Sequence, residues 1–261
     1  MLLASDVGNT NIVLGVFEGE RLTRSWRLAT DRARTADELG IVVMELFRHG
    51  GLDAGAIRGI IVSSVVPPLT GTLVDMAARY FSREPLVVDG TSRTGLVVRY
   101  EPPSDVGADR IVNGVAAFEL YGRPRGTPTI VVDFGTATTF DAISRDGEYL
   151  GGVICPGIQI SADALFQRAA RLPRVDVRKP AEVIGRTTVG SMQSGLFFGY
   201  VDMVIGIVRR MREELAGAGQ KVATVATGGT AAIIADETGI IDAVNPDLTL
   251  IGLRMIWERN G

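Results

Sequence analysis

Two short loops in this 261-residue chain carry residue types that bind phosphate groups. Residues 6–11 read DVGNTN after an apolar run, and residues 133–139 read DFGTATT after another. Glycine lets the backbone turn tightly, so successive N–H groups can converge on an anion. Asn and Thr add donors, and an Asp at a strand end can approach a metal ion. Each loop alone is also typical of a hairpin turn, but together they favour nucleotide binding and phosphoryl transfer.

A third signal is Gly228-Gly229, which precedes Thr230 where a predicted strand meets a helix. Glycines there let the backbone approach a flat ligand such as adenine, although a tight strand-to-helix connection has the same composition. The other nucleotide-binding designs are absent. Neither Lys179 nor Lys221 stands in a Walker loop. The strand lysine and HRD motif of protein kinases are missing, as is a Rossmann fingerprint after the first strand.

The strands and helices that must position these loops are predicted from the spacing of apolar residues and from the residues typical of turns and helix ends. Apolar runs predict strands over residues 1–7 and 12–17, and alternation predicts another over 21–30. Thr35 and Glu38 form a capping box, and the helix that it opens should end at Gly50. A strand over 60–66, a helix from Pro67 to about 81 and a short strand at 86–88 complete a βββαβαβ half.

The second half repeats this theme. Its predicted strands cover 129–133, 138–143, 148–154 and 222–226, and its predicted helices cover 110–121, 158–170, 188–215, 230–236 and 248–257. Asp6 and Asp133 occupy equivalent places, 127 residues apart, which is close to half the chain. The sequence therefore predicts an α/β protein made of two duplicated halves.

Composition bounds the class of protein. With 46% hydrophobic and 22% charged residues and a net charge of −3, the chain is an ordinary globular one whose arginines are dispersed. A nucleic-acid binder would show a basic stripe. A single cysteine, Cys155, rules out an intrachain disulfide and fits a reducing compartment. The start has no signal-peptide pattern and no window resembles a membrane span, so we expect a cytoplasmic protein.

These motifs resemble a known family. DVGNTN, DFGTATT and the later Gly-Gly look like the phosphate-1, phosphate-2 and adenosine motifs of the acetate/sugar kinase–Hsp70–actin superfamily. Within it, the chain is similar along its whole length to the type III pantothenate kinases. That family's Gly-x-Asp-Arg motif appears at residues 107–110, its substrate tyrosine at Tyr100 and its substrate threonine at Thr188. Position 190 is Gly where a small residue such as Ala is expected.

The resemblance implies two RNase H-like (actin-like ATPase) domains with mixed sheets, over residues 1–118 and 119–261, with the active site in the cleft between them. It implies ATP-dependent phosphorylation of pantothenate to 4′-phosphopantothenate, the first step of coenzyme A biosynthesis. The implied partners are ATP with Mg²⁺, a monovalent cation (K⁺ or NH₄⁺), pantothenate and a second copy of the chain in a homodimer, without nucleic acid or membrane.

The resemblance also implies the site residues. Asp109 would accept the hydroxyl proton, and Asp133 would lie near the monovalent cation, with Asp6 the Mg²⁺ neighbour. The implied pantothenate-binding residues are Tyr100, Gly107, Ala108, Asp109, Arg110 and Thr188. The implied ATP-binding residues are Asp6, Val7, Gly8, Asn9, Thr10, Asn11, Ile12, Val13, Thr136, Gly228 and Gly229.

Each assignment has a purely structural alternative. Asp109 is also typical of a helix N-terminus, Arg110 of a surface ion pair, Tyr100 of a strand and Thr188 of a helix N-cap. The apolar residues 196–207 favour core packing over a homodimer interface. At the level of function, the rivals are a superfamily kinase for another small alcohol and a catalytically weak homologue that acts as a nucleotide-binding regulator.

Overall fold

A computed structural model describes residues 1–216 and 221–261 and divides the chain into two compact units. Unit 1 comprises Met1–Ala116 with Asp247–Gly261, and unit 2 comprises Ala117–Pro246. The break in mid-chain lies within two residues of the predicted boundary after residue 118. The last segment differs, because the structure groups it with unit 1 whereas the sequence predicts it in the second half.

Unit 1 is built on a five-stranded mixed sheet of order β3-β2-β1-β4-β5. The strands β1, β2 and β3 are antiparallel neighbours, and β4 and β5 run parallel to β1. This βββαβαβ order is the one that the sequence predicts. The elements are β1 (Leu2–Val7), β2 (Asn11–Glu18), β3 (Arg21–Ala29), α1 (Ala36–Gly50), β4 (Gly59–Ser64), α2 (Pro67–Phe81), β5 (Leu86–Val87), β6 (Val97–Val98), α3 (Ala108–Ala117) and the last helix, α7 (Leu248–Asn260).

Local signals in the sequence explain where α1 begins and ends. The Thr35 side chain accepts the Glu38 N–H while the Glu38 carboxylate accepts the Thr35 N–H, so the predicted capping box is confirmed. Gly51 ends the helix in the left-handed conformation, with φ 67°. The apolar face of α1 packs with that of α2 on one side of the sheet, around the buried side chains of Val43, Phe47 and Leu73.

The last helix, α7, contacts β1, β2 and β4 of unit 1. Its docking depends on residues without side chains. A Cβ on Gly59 would lie 2.1 Å from the Trp257 ring, and one on Gly252 would lie 2.2 Å from the Val112 carbonyl oxygen of α3. These close approaches join residues far apart in sequence, which explains why α7 belongs to unit 1 although it ends the chain.

Unit 2 repeats the sheet of unit 1. Strands β7 (Thr129–Phe134), β8 (Ala137–Ile143), β9 (Glu148–Pro156), β10 (Ala223–Gly228) and β11 (Ala243–Val244) have the order β9-β8-β7-β10-β11. Again the first three strands are antiparallel and the last two parallel to the first. The predicted duplication is therefore confirmed. The helices of unit 2 are α4 (Ile158–Arg168), α5 (Thr188–Ala216) and α6 (Ala231–Thr238).

The long helix α5 supplies much of the unit 2 core. Phe197, Val204 and Val208 are fully buried against β7 and β8 side chains such as Ile130 and Phe140. Residues Thr188–Leu215 are long and apolar enough to cross a membrane by length and composition alone, but half of the most apolar window is buried inside the protein. Core packing thus accounts for the apolar residues 196–207, as the sequence predicts.

Candidate active site

The loop at residues 6–11 is the hairpin turn between β1 and β2. The Gly8 N–H donates to the Asn11 carbonyl oxygen at 2.9 Å, which leaves Asn9 and Thr10 exposed at the tip. Val7 and Ile12 are fully buried in the unit 1 core, so they can offer a ligand only main-chain groups. The loop therefore presents N–H groups and polar side chains on a rigid apolar base, which suits an anion.

The segment between β3 and α1 ties this loop down, a feature that the sequence analysis missed. The Thr30 N–H donates to the Thr10 carbonyl oxygen at 3.0 Å, and Thr30 Oγ1 donates to the Gly8 carbonyl oxygen at 2.7 Å. Arg32 Nη2 donates to Asn9 Oδ1 at 3.0 Å. The loop is thus fixed by contacts from more than twenty residues away in sequence.

Asp109 lies in the first turn of α3, where the glycine before the helix makes room for its carboxylate. Asp109 Oδ1 accepts the Arg110 N–H at 2.8 Å, and a Cβ on Gly107 would lie only 2.7 Å from that oxygen. Burial raises the pKa of the Asp109 carboxyl, against the opposing effects of the Arg110 N–H and the Arg110 charge. A carboxylate in this setting is a stronger proton acceptor than an exposed one.

A short chain of contacts links Asp109 to the loop at residues 6–11. A Cβ on Gly107 would lie 3.7 Å from a methyl group of Val65, and the Val65 N–H donates to the Val7 carbonyl oxygen at 3.0 Å. Val7 directly precedes Gly8. Within unit 1, the structure therefore brings the predicted proton acceptor to the same end of the sheet as the predicted phosphate loop.

The other predicted substrate residues of unit 1 adjoin Asp109 in sequence. Arg110 is only 8% exposed, so its guanidinium is not a surface group. Gly107 and Ala108 are half-buried at the start of α3, and Tyr100 is half-buried in the segment after β6. A buried guanidinium fork is suited to a carboxylate held in two hydrogen bonds.

In unit 2, residues 133–139 form the equivalent hairpin turn between β7 and β8. The Gly135 N–H donates to the Ala137 carbonyl oxygen at 3.1 Å, and Thr136 is exposed. Gly157, which the sequence analysis did not single out, donates its N–H to the Thr136 carbonyl oxygen at 3.2 Å. A Cβ on Gly157 would lie 2.2 Å from that oxygen, so the start of α4 can approach the loop only through glycine.

Gly228 ends β10 directly beside this loop. It has φ +96°, and a Cβ there would lie 2.6 Å from the Phe134 carbonyl group and 2.7 Å from Asp133 Oδ1. The next residue, Gly229, donates its N–H to the Phe134 carbonyl oxygen at 3.2 Å. The structure thus brings the predicted adenosine motif together with Asp133, whereas the sequence separates them by almost a hundred residues.

Thr188 is exposed at the first position of α5. It is not the N-cap, because that role belongs to Thr187, whose Oγ1 accepts the Gly190 N–H at 3.0 Å. A Cβ on Gly190 would lie 3.2 Å from the same oxygen, so glycine there avoids a tight contact with the capping hydroxyl of Thr187. The Thr188 hydroxyl remains at the surface, as a substrate contact requires.

The implied metal ions can be tested against the donors present. Among residues 1–216 and 221–261, no cluster of three or more His, Cys, Asp or Glu side chains could hold a metal. Single carboxylates fit the implied ions nonetheless. Mg²⁺ in kinases is held by one or two carboxylates and the nucleotide phosphates, which fits Asp6. Asp133 Oδ1 and the Phe134 carbonyl oxygen lie 2.7 and 2.6 Å from the same point, the Cβ position of Gly228, and oxygen donors suit a hard cation.

Comparison with known proteins supports the assignment of family. A family described as "Type III pantothenate kinase" matches residues 2–210. A type III pantothenate kinase from Geobacter sulfurreducens is 55% identical over 260 residues, covering 100% of this chain and 99% of the relative. One from Moorella thermoacetica is 54% identical over 260 residues, with 100% of both chains covered.

Solved structures support the fold alone, because their sequences are distant. The ethanolamine utilization protein EutJ from Carboxydothermus hydrogenoformans has a TM-score of 0.56 at 15% identity, covering 97% of this chain and 89% of that one. A Sinorhizobium meliloti protein provisionally described as a 2-dehydro-3-deoxygalactonokinase has a TM-score of 0.57 at 12% identity, covering 99% and 96%. These likenesses extend over almost the whole chain and support the α/β fold with its two mixed sheets. By its full-length relatives and by the family match, this chain belongs to the type III pantothenate kinase family.

Proposed function

We propose that this protein transfers the terminal phosphoryl group of ATP to the hydroxyl group of pantothenate, the first step of coenzyme A biosynthesis. The observation that carries the proposal is the half-buried Asp109 carboxylate, at the same end of the unit 1 sheet as the turn at residues 6–11. Full-length relatives at 54–55% identity bear the name of this activity.

The residues of the site divide the work of the reaction. Asp109 accepts the proton as the hydroxyl oxygen attacks the terminal phosphorus and the bond to the leaving ADP oxygen breaks. Arg110 holds the pantothenate carboxylate, while Tyr100 and Thr188 hydrogen-bond its other polar groups. The turn at residues 6–11 and Thr136 bind phosphates, and the backbone at Gly228 and Gly229 lies against adenosine.

Two ions complete this proposal. Mg²⁺, with Asp6 as its protein neighbour, would neutralise charge on the ATP phosphates. A monovalent cation, K⁺ or NH₄⁺, would lie near Asp133. We place the reaction in the cytoplasm, where ATP is available and a single free cysteine stays reduced.

The experiment that tests the proposal measures ADP release from ATP with and without pantothenate, in K⁺, NH₄⁺ and Na⁺ buffers. ADP release that requires pantothenate supports the proposed substrate. A higher rate in K⁺ or NH₄⁺ than in Na⁺ supports the proposed monovalent cation. Turnover with another small alcohol but not with pantothenate would favour the rival kinase. Nucleotide binding by folded protein without turnover would favour the regulator.

The activity should be lost at a higher pH on the acidic side than an ordinary aspartate would allow. Asp109 must be ionised to accept a proton, and burial raises its pKa above the ordinary value of 3.8. The acidic limb of kcat/KM should therefore lie at a higher pH than an ordinary Asp would give, with activity lost as the pH falls through that limb. A profile that stays flat down to pH 4 would contradict Asp109 as the base.

We also propose a homodimer. Several large apolar side chains of unit 2 remain open to solvent in the single chain, among them Ile154, Val183 and Ile184, which are 62–80% exposed. A surface that a second copy of the chain covers is expected to carry exposed apolar side chains of this kind. Light scattering should give twice the mass of one chain at micromolar concentration, and a monomer mass there would contradict the proposal.

A further inference from the structure

We infer that Arg32 is a further ATP-binding residue, which contacts the terminal phosphoryl group while the turn at residues 6–11 holds the phosphates. This inference rests on the proposed function and assigns to that site a residue outside its recognised motifs. Arg32 lies between β3 and α1, and its Nη2 donates to Asn9 Oδ1 at 3.0 Å at the tip of the turn.

The first argument is charge. Phosphoryl transfer spreads negative charge over the oxygens of the transferred group, and cationic side chains stabilise it. Neither DVGNTN nor DFGTATT contains a basic residue. Neither lysine belongs to unit 1, and Lys179 is paired with Glu237 at 2.7 Å. Within unit 1, Arg32 places a guanidinium on this turn through its hydrogen bond to Asn9.

The second argument is the geometry of the Asn9 amide. Because Asn9 Oδ1 accepts from Arg32, its NH₂ group must point the other way, where it can donate to an anion. Arg32 is exposed, and a guanidinium has five N–H donors, so one bond to Asn9 leaves a fork that a phosphate can accept. Arg32 and Asn9 thus both offer side-chain N–H donors at the tip of the turn.

The third argument identifies the phosphate. In an in-line transfer, the terminal phosphoryl group must lie between the attacking hydroxyl oxygen and the leaving oxygen. Asp109, which faces the hydroxyl in the proposed reaction, connects to the turn through Gly107, Val65 and Val7. The phosphate nearest both Asp109 and this turn is therefore the transferred one, and Arg32 lies on the same turn.

The test compares two nucleotides that differ in the terminal phosphate. Calorimetry with Mg²⁺ gives the Kd of ADP and of the non-hydrolysable β,γ-imido analogue of ATP for wild type, Arg32→Gln and Arg32→Lys. Arg24→Gln is the matched control, since it removes the same charge from the exposed face of β3 roughly 20 Å away along the strand.

We expect Arg32→Gln to raise the Kd of the analogue by about 10- to 100-fold, the usual effect of losing a charge-assisted hydrogen bond. The Kd of ADP should change by less than about 2-fold. Arg32→Lys should fall between, because it keeps the charge without the fork. If binding of both nucleotides weakens equally, Arg32 only holds Asn9 in place and the inference is overturned. An effect on the analogue no larger than that of Arg24→Gln would also overturn it. A wild type that binds neither nucleotide would overturn the proposed function as well.

Discussion

Asp109→Asn should lower kcat by roughly 100- to 10,000-fold and leave the affinity for nucleotide nearly unchanged. Asparagine keeps the size of the side chain, and its Oδ1 can still accept the Arg110 N–H that Asp109 accepts at 2.8 Å. What it lacks is a basic oxygen for the proton of the attacking hydroxyl. The loss should therefore appear in turnover, because the ground-state contacts of ATP lie on other residues.

Stability separates this loss from unfolding. The folded pKa of Asp109 is raised by burial, so between the unfolded and folded pKa values the native state binds more protons and stability falls as the pH rises. Above the folded pKa this penalty is fully present, and Asn does not carry it. The variant should melt at or above the wild-type Tm. Asp105→Asn, an exposed neighbour, is the control and should retain wild-type turnover.

A variant with substantial turnover would remove Asp109 from the role of base. A variant with low turnover and a lower Tm would indicate instead that the carboxylate holds the start of α3 together. Stopped assays of ADP release and thermal melting of the same preparations decide among these outcomes.

The sequence predicted the parts of this fold that local chemistry determines. The Thr35–Glu38 capping box involves residues three apart, and the two hairpin turns follow from glycine and alternating strands. The duplication was visible because Asp6 and Asp133 end equivalent strands. Helix α3 is shorter than predicted: it ends at Ala117, and residues Phe118–Gly122 form a wider turn that the apolar pattern did not distinguish.

Contacts between distant residues were out of reach. Nothing near Trp257 in the sequence reveals that its ring covers Gly59, so the sequence order alone groups the last helix with the second half, whereas the structure groups it with unit 1. The hydrogen bond from Arg32 to Asn9 spans 23 residues, and the close contact of Gly157 with Thr136 depends on how β9 returns to β8. For the Arg32–Asn9 hydrogen bond, the sequence offers only a basic residue shortly after β3, which by itself does not indicate a contact.

Gly228→Ala is expected to destabilise the protein by about 3 kcal/mol and to impair ATP binding. An L-residue at φ +96° is strained by roughly 1–2 kcal/mol, and overpacking of the Cβ against the Phe134 carbonyl group, 2.6 Å away, adds about 1–3 kcal/mol. Relief requires β10 to move away from β7, which also displaces the Asp133 carboxylate. For a protein of this size we expect a fall in Tm of roughly 6–12 °C.

Gly239→Ala separates the two causes. Gly239 also has a positive φ, +58°, but a Cβ there meets nothing within 4 Å, so this substitution adds backbone strain without overlap. It should lower Tm by only a few degrees and leave the Kd of ATP unchanged. If Gly228→Ala behaves like Gly239→Ala in both melting and calorimetry, then the contact between β10 and the turn at Asp133 does not shape the nucleotide site. If only Gly228→Ala weakens the binding of ATP, the adenosine motif acts by letting the backbones of β10 and the turn at Asp133 approach closely. Gly228 is then required for space as well as for its backbone conformation.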